Sequence, residues 1–266
     1  MVKLPVFISI PHGGEDIPEE LISRTRLTQN DIIEDGDAFT REIYSFGDNV
    51  LASLNTNIAR AFIDLNRSPD DLAPINPDGV IKTLTTMGKL IYREGQFPDN
   101  TLISSLLWKY YFPYHQKLEK LSNDKRIRLA LDCHSMLDKS PPVSSRPNVK
   151  RPLFCLSNLG NSADKDFNTE RNVTCSFDWM HRLAECFMVE FNIDKNDIRI
   201  NDPFKGGYII QLHGKNSIPW IQIEINRKLY LVNQDSADSK IKKSGKNIRY
   251  IQSKLLSVLK SFFSHV

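Results

Sequence analysis

The chain has 266 residues, 40% hydrophobic and 25% charged, with a formal net charge of +3. That length is enough to bury a full core, and the composition is that of a globular protein. The near-balanced charge gives no electrostatic case for nucleic acid as a partner. The four cysteines (Cys133, Cys155, Cys175, Cys186) show no CxxC spacing, so neither a zinc ribbon nor a thioredoxin-type motif is present. No signal-peptide pattern or membrane-length apolar run occurs, so a reduced cytoplasm is the expected location.

In chain order, Val6–Ile10 reads as a buried strand running into Pro11-His12-Gly13-Gly14-Glu15. Residues 11–30 are polar and turn-rich. A helix is expected from Asp37 or a neighbour through Phe39, Ile43 and Phe46, continuing towards Leu54. A second strand is expected over Ile58–Leu65, ending in a turn at Asn66–Asp71. Residues 69–100, rich in Pro, Gly, Asp and Asn, read as a long functional excursion.

Leu102–Leu121 has a helical apolar face, and Pro113 should kink or restart that helix. Ile127–Met136 is a buried strand that delivers Asp132, His134 and Ser135 to its end. Residues 139–151 form a loop, Leu153–Ser157 a strand, and Phe177–Phe191 a helix. A glycine turn at Gly206-Gly207 is expected to lead into a strand over Tyr208–Ile210. Pro219–Asn226 is a strand with Gln222, Glu224 and Asn226 on one face, and a last helix covers Lys246–Phe263. The Lys240–Lys246 cluster reads as a solvated loop. Strands alternate with helices without repeats, which predicts one α/β domain over 1–266 with functional residues at strand ends.

Two strands that each end on a histidine suggest one metal site. Hydrolytic zinc takes three His or carboxylate ligands, so His12 and His134 are candidate ligands, with Glu15 or Asp37 as the third. Glu15 has the HxxE spacing to His12. Asp37 is equally suited to capping a helix. Glu224 lies mid-strand between isoleucines. Burial there raises a carboxyl pKa, which suits a general base, although a buried salt bridge explains it equally well. Arg60 and Arg67 bracket the Ile63–Asn66 segment, and an arginine fork matches a carboxylate or an oxyanion. Cys133, His134 and Ser135 are consecutive, alternate faces along a strand, and cannot form a nucleophile–base dyad with one another. Gly206-Gly207 lacks the other elements of a phosphate loop.

These stretches also form an ordered set: Ser9-Ile10-Pro11-His12-Gly13-Gly14, Asp35-Gly36-Asp37, Asp64-Leu65-Asn66-Arg67, Tyr92-Arg93 and Tyr110–His115. Asp132-Cys133-His134-Ser135, Phe204–Ile209 and Gln222-Ile223-Glu224 complete it. The set resembles the N-formylglutamate amidohydrolase family over nearly the whole chain. It departs from better-known members in having Pro-His-Gly-Gly for Pro-His-Ser-Gly, and Leu212-His213-Gly214 for a His-Tyr-Gly.

The resemblance implies kinship with zinc carboxypeptidases and aspartoacylases. From that follow a three-layer α/β/α fold with a mainly parallel or mixed central sheet and one Zn2+ ion. His12 and His134 become ligands; the family pattern leans to Asp37 as the third, the carboxypeptidase pattern to Glu15. Glu224 becomes the general base and Arg60 the oxyanion donor. Asn66 and Arg67 hold the substrate carboxylate, with Lys205 or Tyr208 helping to close the site. The expected partner is a small N-acyl amino acid, with no nucleic acid or membrane, and homo-oligomerisation is left open. Two other readings are a hydrolase of short peptides or cell-wall fragments, and a non-catalytic metal- or ligand-binding protein.

Overall fold

The computed structural model describes residues 2–161, 173–215, 218–232 and 242–264. Its centre is a six-stranded sheet of β1 (Leu4–Ile10), β2 (Val50–Asn55), β3 (Leu129–Met136), β4 (Phe154–Ser157), β5 (Ile198–Ile200) and β6 (Trp220–Asn226). The strand order is β2-β1-β3-β6-β4-β5. β2, β1, β3 and β6 run parallel, and β4 pairs antiparallel with β6 while running parallel to β5. A mixed, mostly parallel sheet between helical layers is the α/β architecture the sequence predicts.

Side-chain alternation divides the core in two. Val6, Ile8 and Ile10 of β1, Leu129, Leu131 and Cys133 of β3, and Ile221, Ile223 and Ile225 of β6 face one layer. There they meet α5 (Phe177–Phe191) and α7 (Gly245–Phe263). Phe7, Ala130 and Trp220 face the other layer, with α3 (Asn100–Leu106), α4 (Phe112–Ser122) and buried apolar residues between Ala59 and Tyr92. Helix starts carry side-chain caps: Thr28 on α1 (Gln29–Asp35), Asp99 on α3, Ser176 on α5 and Ser244 on α7.

Several expectations change. The helix expected from residue 38 towards 54 is only α2 (Thr40–Ile43). Phe39 takes a left-handed φ of 61° before it, Gly47 one of 53° after it, and Val50–Asn55 is the edge strand β2. The strand expected over 58–65 does not form. Ile58 and Ala59 make only isolated bridges to Asp16 and Gly14, and the chain then turns, with Phe62 N–H bonding to the Ala59 carbonyl at 3.0 Å. Its apolar residues are buried loop residues rather than paired strand residues.

Residues 208–210 belong to α6 (Tyr208–His213), not to a strand. Pro113 enters α4 in its first turn, behind a π-helical turn over Leu107–Tyr111 that accommodates the missing N–H. Of the lysine cluster, Lys240 lies outside the described residues. Lys242 and Lys243 form β8, which pairs with β7 (Leu231–Val232), and Lys243 pairs with Glu42. No helix among the described residues is long and apolar enough to cross a membrane.

Gly14 is where the His12 loop touches the rest of the fold. A Cβ there would stand 2.4 Å from the Asn57 carbonyl carbon and the Ile58 carbonyl oxygen. Because the colliding atoms are backbone, relief requires chain movement. Gly14→Ala is expected to lower unfolding free energy by about 1–3 kcal/mol, measured by urea titration.

Candidate active site

On the second face of the sheet, the three central parallel strands each change from apolar to polar along their length. β1 passes from Phe7 to Ser9, β3 from Ala130 to Asp132 and His134, and β6 from Trp220 to Gln222 and Glu224. Register aligns these changes: Ser9 is opposite Asp132, Asp132 opposite Gln222, and His134 opposite Glu224. The carboxyl ends of β1, β3 and β6 therefore present one polar floor. Above it lies a cavity of about 340 Å³, lined by His12, Asp37, Arg60, Asp64, Asn66, Arg67, His134, Glu224 and their neighbours.

Among the described residues, the one His/Cys/Asp/Glu group close enough to share an ion is His12, Asp37 and His134, all buried. His134 Nδ1 is 2.9 Å from Asp37 Oδ2 and 3.1 Å from His12 Nδ1, and His12 Nδ1 is 3.4 Å from the same Asp37 oxygen. Behind each ring stands a second carboxylate. Asp64 Oδ1 takes His12 Nε2 at 2.7 Å, and Asp132 Oδ2 takes His134 Nε2 at 2.9 Å. With both Nε2–H groups donating backwards, both Nδ1 atoms present lone pairs to one point together with Asp37 Oδ2. Carboxylate–histidine pairs orient metal ligands in this way, and the N₂O donor set at this spacing suits an ion bound at about 2.0–2.2 Å.

The electrostatics agree. Burial opposes ionisation of Asp37, yet the His12 and His134 rings beside it hold its carboxyl well below the usual range. Burial likewise opposes charge on His134, but Asp132 and Asp37 push its pKa well up. A divalent cation at Nδ1 meets the same demand for positive charge.

Arg227, just past β6, was not singled out by the sequence. It is buried and reaches Asp37 Oδ1 at 3.3 Å, Ser135 Oγ at 3.0 Å and the carbonyls of Glu34 and Gly36. It fixes the Asp37 carboxylate from the side away from the histidines. Asp64 belongs to the Asp64-Leu65-Asn66-Arg67 stretch, with no role of its own assigned by the sequence. It pairs with Arg60 Nε at 3.3 Å as well as with His12. The signal for Asp64 was its position at an apolar segment's end. Arg227 carries no local signal, because its partners are 92 to 193 residues away.

Glu15 is outside the cavity lining, and its backbone carbonyl accepts from Gln29. Glu224 is buried, with Oε1 accepting from Gln222 Nε2 at 3.0 Å; burial foremost pushes its pKa up to about 7. Arg67 lines the cavity but is bound to Asp78 through Nε (2.9 Å) and Nη2 (2.5 Å). Asn66 Oδ1 accepts from Ile209 N–H at 2.7 Å, which caps α6, and its Nδ2 lies 3.3 Å from His134 Nε2. That ring nitrogen donates to Asp132, so the Asn66 amide keeps N–H groups for another acceptor. Lys205 and Tyr208 are not in the lining. Lys205 reaches Asn161 at 3.0 Å, and the Tyr208 ring stands edge-on to His115.

His115 and His213 support the Asn66 turn from below. His115 Nε2–H donates to the Leu65 carbonyl at 3.0 Å, which leaves Nδ1 to accept from His213 Nε2–H at 3.0 Å. Burial lowers both pKa values to about 4, helped in His115 by His213.

A family model described as N-formylglutamate amidohydrolase matches residues 4–231. An N-formylglutamate amidohydrolase from Ralstonia eutropha JMP134 superposes with a TM-score of 0.70 at 19% identity, over 99% of this chain and 96% of the other. The gene product Atu2144 from Agrobacterium tumefaciens gives 0.66 at 16% identity, over 99% and 92%. At these identities the two structures speak for the fold. No curated protein matches the sequence.

Two outcomes are expected from the site's geometry. Asp37→Ala should weaken metal binding by more than the roughly ten- to hundred-fold that Arg227→Met costs as an outer partner. Glu15→Gln should leave it unchanged, all read by competition with a chromophoric chelator. The histidine pair makes the fold acid-sensitive. Between pH 6.5 and about 4 the unfolded chain binds protons that neutral, buried His115 and His213 do not. Stability therefore falls as pH drops through that window. His213→Gln should have a urea midpoint less dependent on pH between 7 and 5 than the wild type.

Proposed function

The chain belongs to the N-formylglutamate amidohydrolase family, and on that premise we propose a zinc-dependent hydrolase that cleaves the amide of a small N-acyl amino acid such as N-formylglutamate. The observation that carries this reading is the convergence of His12 Nδ1, His134 Nδ1 and Asp37 Oδ2 beside Glu224, whose strand register places it opposite His134. Nitrogen and oxygen donors without thiolate suit zinc in a hydrolytic setting.

When bound, zinc supplies Lewis-acid polarisation of the scissile carbonyl and acidifies the attacking water. The protein's groups do the rest. Glu224, with a pKa near 7 through burial, takes a proton from the attacking water as its oxygen bonds to the acyl carbon. It then passes that proton to the amide nitrogen as the C–N bond breaks, leaving a carboxylate and a free amine. Gln222 holds the Glu224 carboxyl in place.

Arg60 lines the cavity beside Asp64 and stabilises negative charge developing on the carbonyl oxygen. The free N–H groups of Asn66, with Arg67 beside it, hold a substrate carboxylate. A cavity of about 340 Å³ is near the lower end for ligand sites, which favours a small acyl amino acid over a peptide or cell-wall strand. Thr86 from one loop and Pro141, Val143 and Ser144 from another narrow it.

The metal-loaded enzyme should hydrolyse formyl- or acetyl-amino acids in preference to peptides. Glu224→Gln should retain the metal while kcat falls by about 10²–10⁴-fold, the usual contribution of a positioned base. Undiminished turnover by a folded, metal-loaded Glu224→Gln protein removes Glu224 from the mechanism.

A further inference from the structure

We propose that Arg151 receives a carboxylate of the substrate other than the one held by Asn66 and Arg67. The inference rests on the amide-hydrolase reading for its substrate and on the cavity for its geometry. Four arginines line the cavity, and three stand within ion-pair distance of a carboxylate: Arg60 of Asp64, although its Nε, like that of Arg151, makes no hydrogen bond among the described residues, Arg67 of Asp78 and Arg227 of Asp37. Among the described residues Arg151 has no carboxylate within ion-pair distance, and its Nε is buried with no hydrogen-bond partner. Its guanidinium lies over the Phe204 ring, 4.9 Å from the centroid.

A partly buried cation without a counter-charge is costly. Burial accordingly pushes its pKa down, and Glu224 opposes that only through space. A carboxylate ligand supplies the missing charge and matches the planar fork of N–H donors.

The backbone of Arg151 is also held. Its N–H donates to the Asp138 carbonyl at 2.8 Å. Asn226, two residues after Glu224 on the same face of β6, reaches the Pro152 carbonyl at 2.9 Å and the Arg151 carbonyl at 3.5 Å. Arg151 leads into β4, the neighbour of β6 on the side away from β3. Along the sheet the order is His12, His134, Glu224, Arg151, so the free cation lies beyond the base from the ligands. Arg67 can serve a substrate only by sharing with Asp78, whereas Arg151 has nothing to give up.

The test compares metal-loaded wild type, Arg151→Met and Arg151→Lys on N-formylglutamate, its α-carboxamide and N-formylglutamine. Arg151→Met should raise KM for N-formylglutamate roughly ten- to a hundred-fold, the worth of a charge-assisted pair, with kcat little changed. The wild type should lose a similar factor on one of the two carboxamides. Arg151→Met should add nothing on that compound, which identifies the carboxylate bound, and Arg151→Lys should recover part of the loss. An equal loss on all three compounds would overturn the proposal and leave Arg151 a packing residue on Phe204.

Calorimetry with glutarate reads the same contact without turnover. Weaker binding to folded Arg151→Met than to wild type supports the proposal, and equal binding, or none to wild type, overturns it. If the wild type hydrolyses none of these amides, the hydrolase reading fails while the calorimetry still decides on Arg151.

Discussion

The site depends first on the register of three parallel strands. Ser9, Asp132 and Gln222 align across β1, β3 and β6, and His134 aligns with Glu224 one side-chain repeat further on. Side chains on one face of a strand recur every second residue, so a slip of one position would send all of these groups into the apolar layer against α5 and α7. That layer holds register from behind. Leu129, Leu131 and Cys133 of β3 and Ile221, Ile223 and Ile225 of β6 are fully or almost fully buried there. The apolar residues on one face thus decide where the polar ones stand on the other.

A floor with this many buried acids must balance its charge locally. Asp37, Asp64 and Asp132 surround two imidazoles, and Arg227 and Arg60 approach from the sides. Further out, fully buried Lys82 sits 3.3 Å from Asp35 and 3.0 Å from Asp78, and Asp78 also takes Arg67. Buried ion pairs of this kind contribute little net stability, because desolvation offsets their attraction, but breaking one strands a charge. Their effect here is geometric. Arg67, Lys82 and Asp78 link the Asn66 turn to the 77–86 stretch, whose Thr86 N–H donates to Asp35 at 2.6 Å. The excursion of residues 69–100 is thereby tied to the cavity wall.

Legibility followed the range of the interactions. β1, β3, β6, α5 and α7 were readable because their apolar patterns are local, and the two strand-end histidines pointed to one site. The Ile58–Leu65 segment misled because burial makes a loop as apolar as a strand. Ala61, Phe62 and Ile63 pack into the core without pairing, and Ala59 makes only an isolated bridge. β2 escaped because an edge strand with alternate residues exposed carries a weak pattern, and Phe39 in a left-handed conformation ended the expected helix early. Arg227 and Arg151, which pairs with no carboxylate among the described residues, could not be read from local sequence. What distinguishes them is which acids they reach or fail to reach, and that is settled by tertiary contacts alone.

The stretch from Phe204 to Ile209 shows how a motif can serve a site without touching its cavity through its most reactive side chains. Lys205 and Tyr208 look like the functional members, yet the connections run through Gly207 and the backbone. Gln222 Oε1 takes the Gly207 N–H at 2.7 Å while its Nε2 holds Glu224, and Asn66 Oδ1 caps α6 at Ile209. A Cβ on Gly207 would fall 2.1 Å from Asn66 Nδ2, so only glycine lets that amide approach. Gln222, Gly207, Ile209 and Asn66 thus form a short rigid link between the buried carboxyl of Glu224 and the amide beside His134. The separation between these two groups is set by this link, and in the proposed reaction it is the separation between the amide nitrogen that Glu224 protonates and the substrate carboxylate that Asn66 holds.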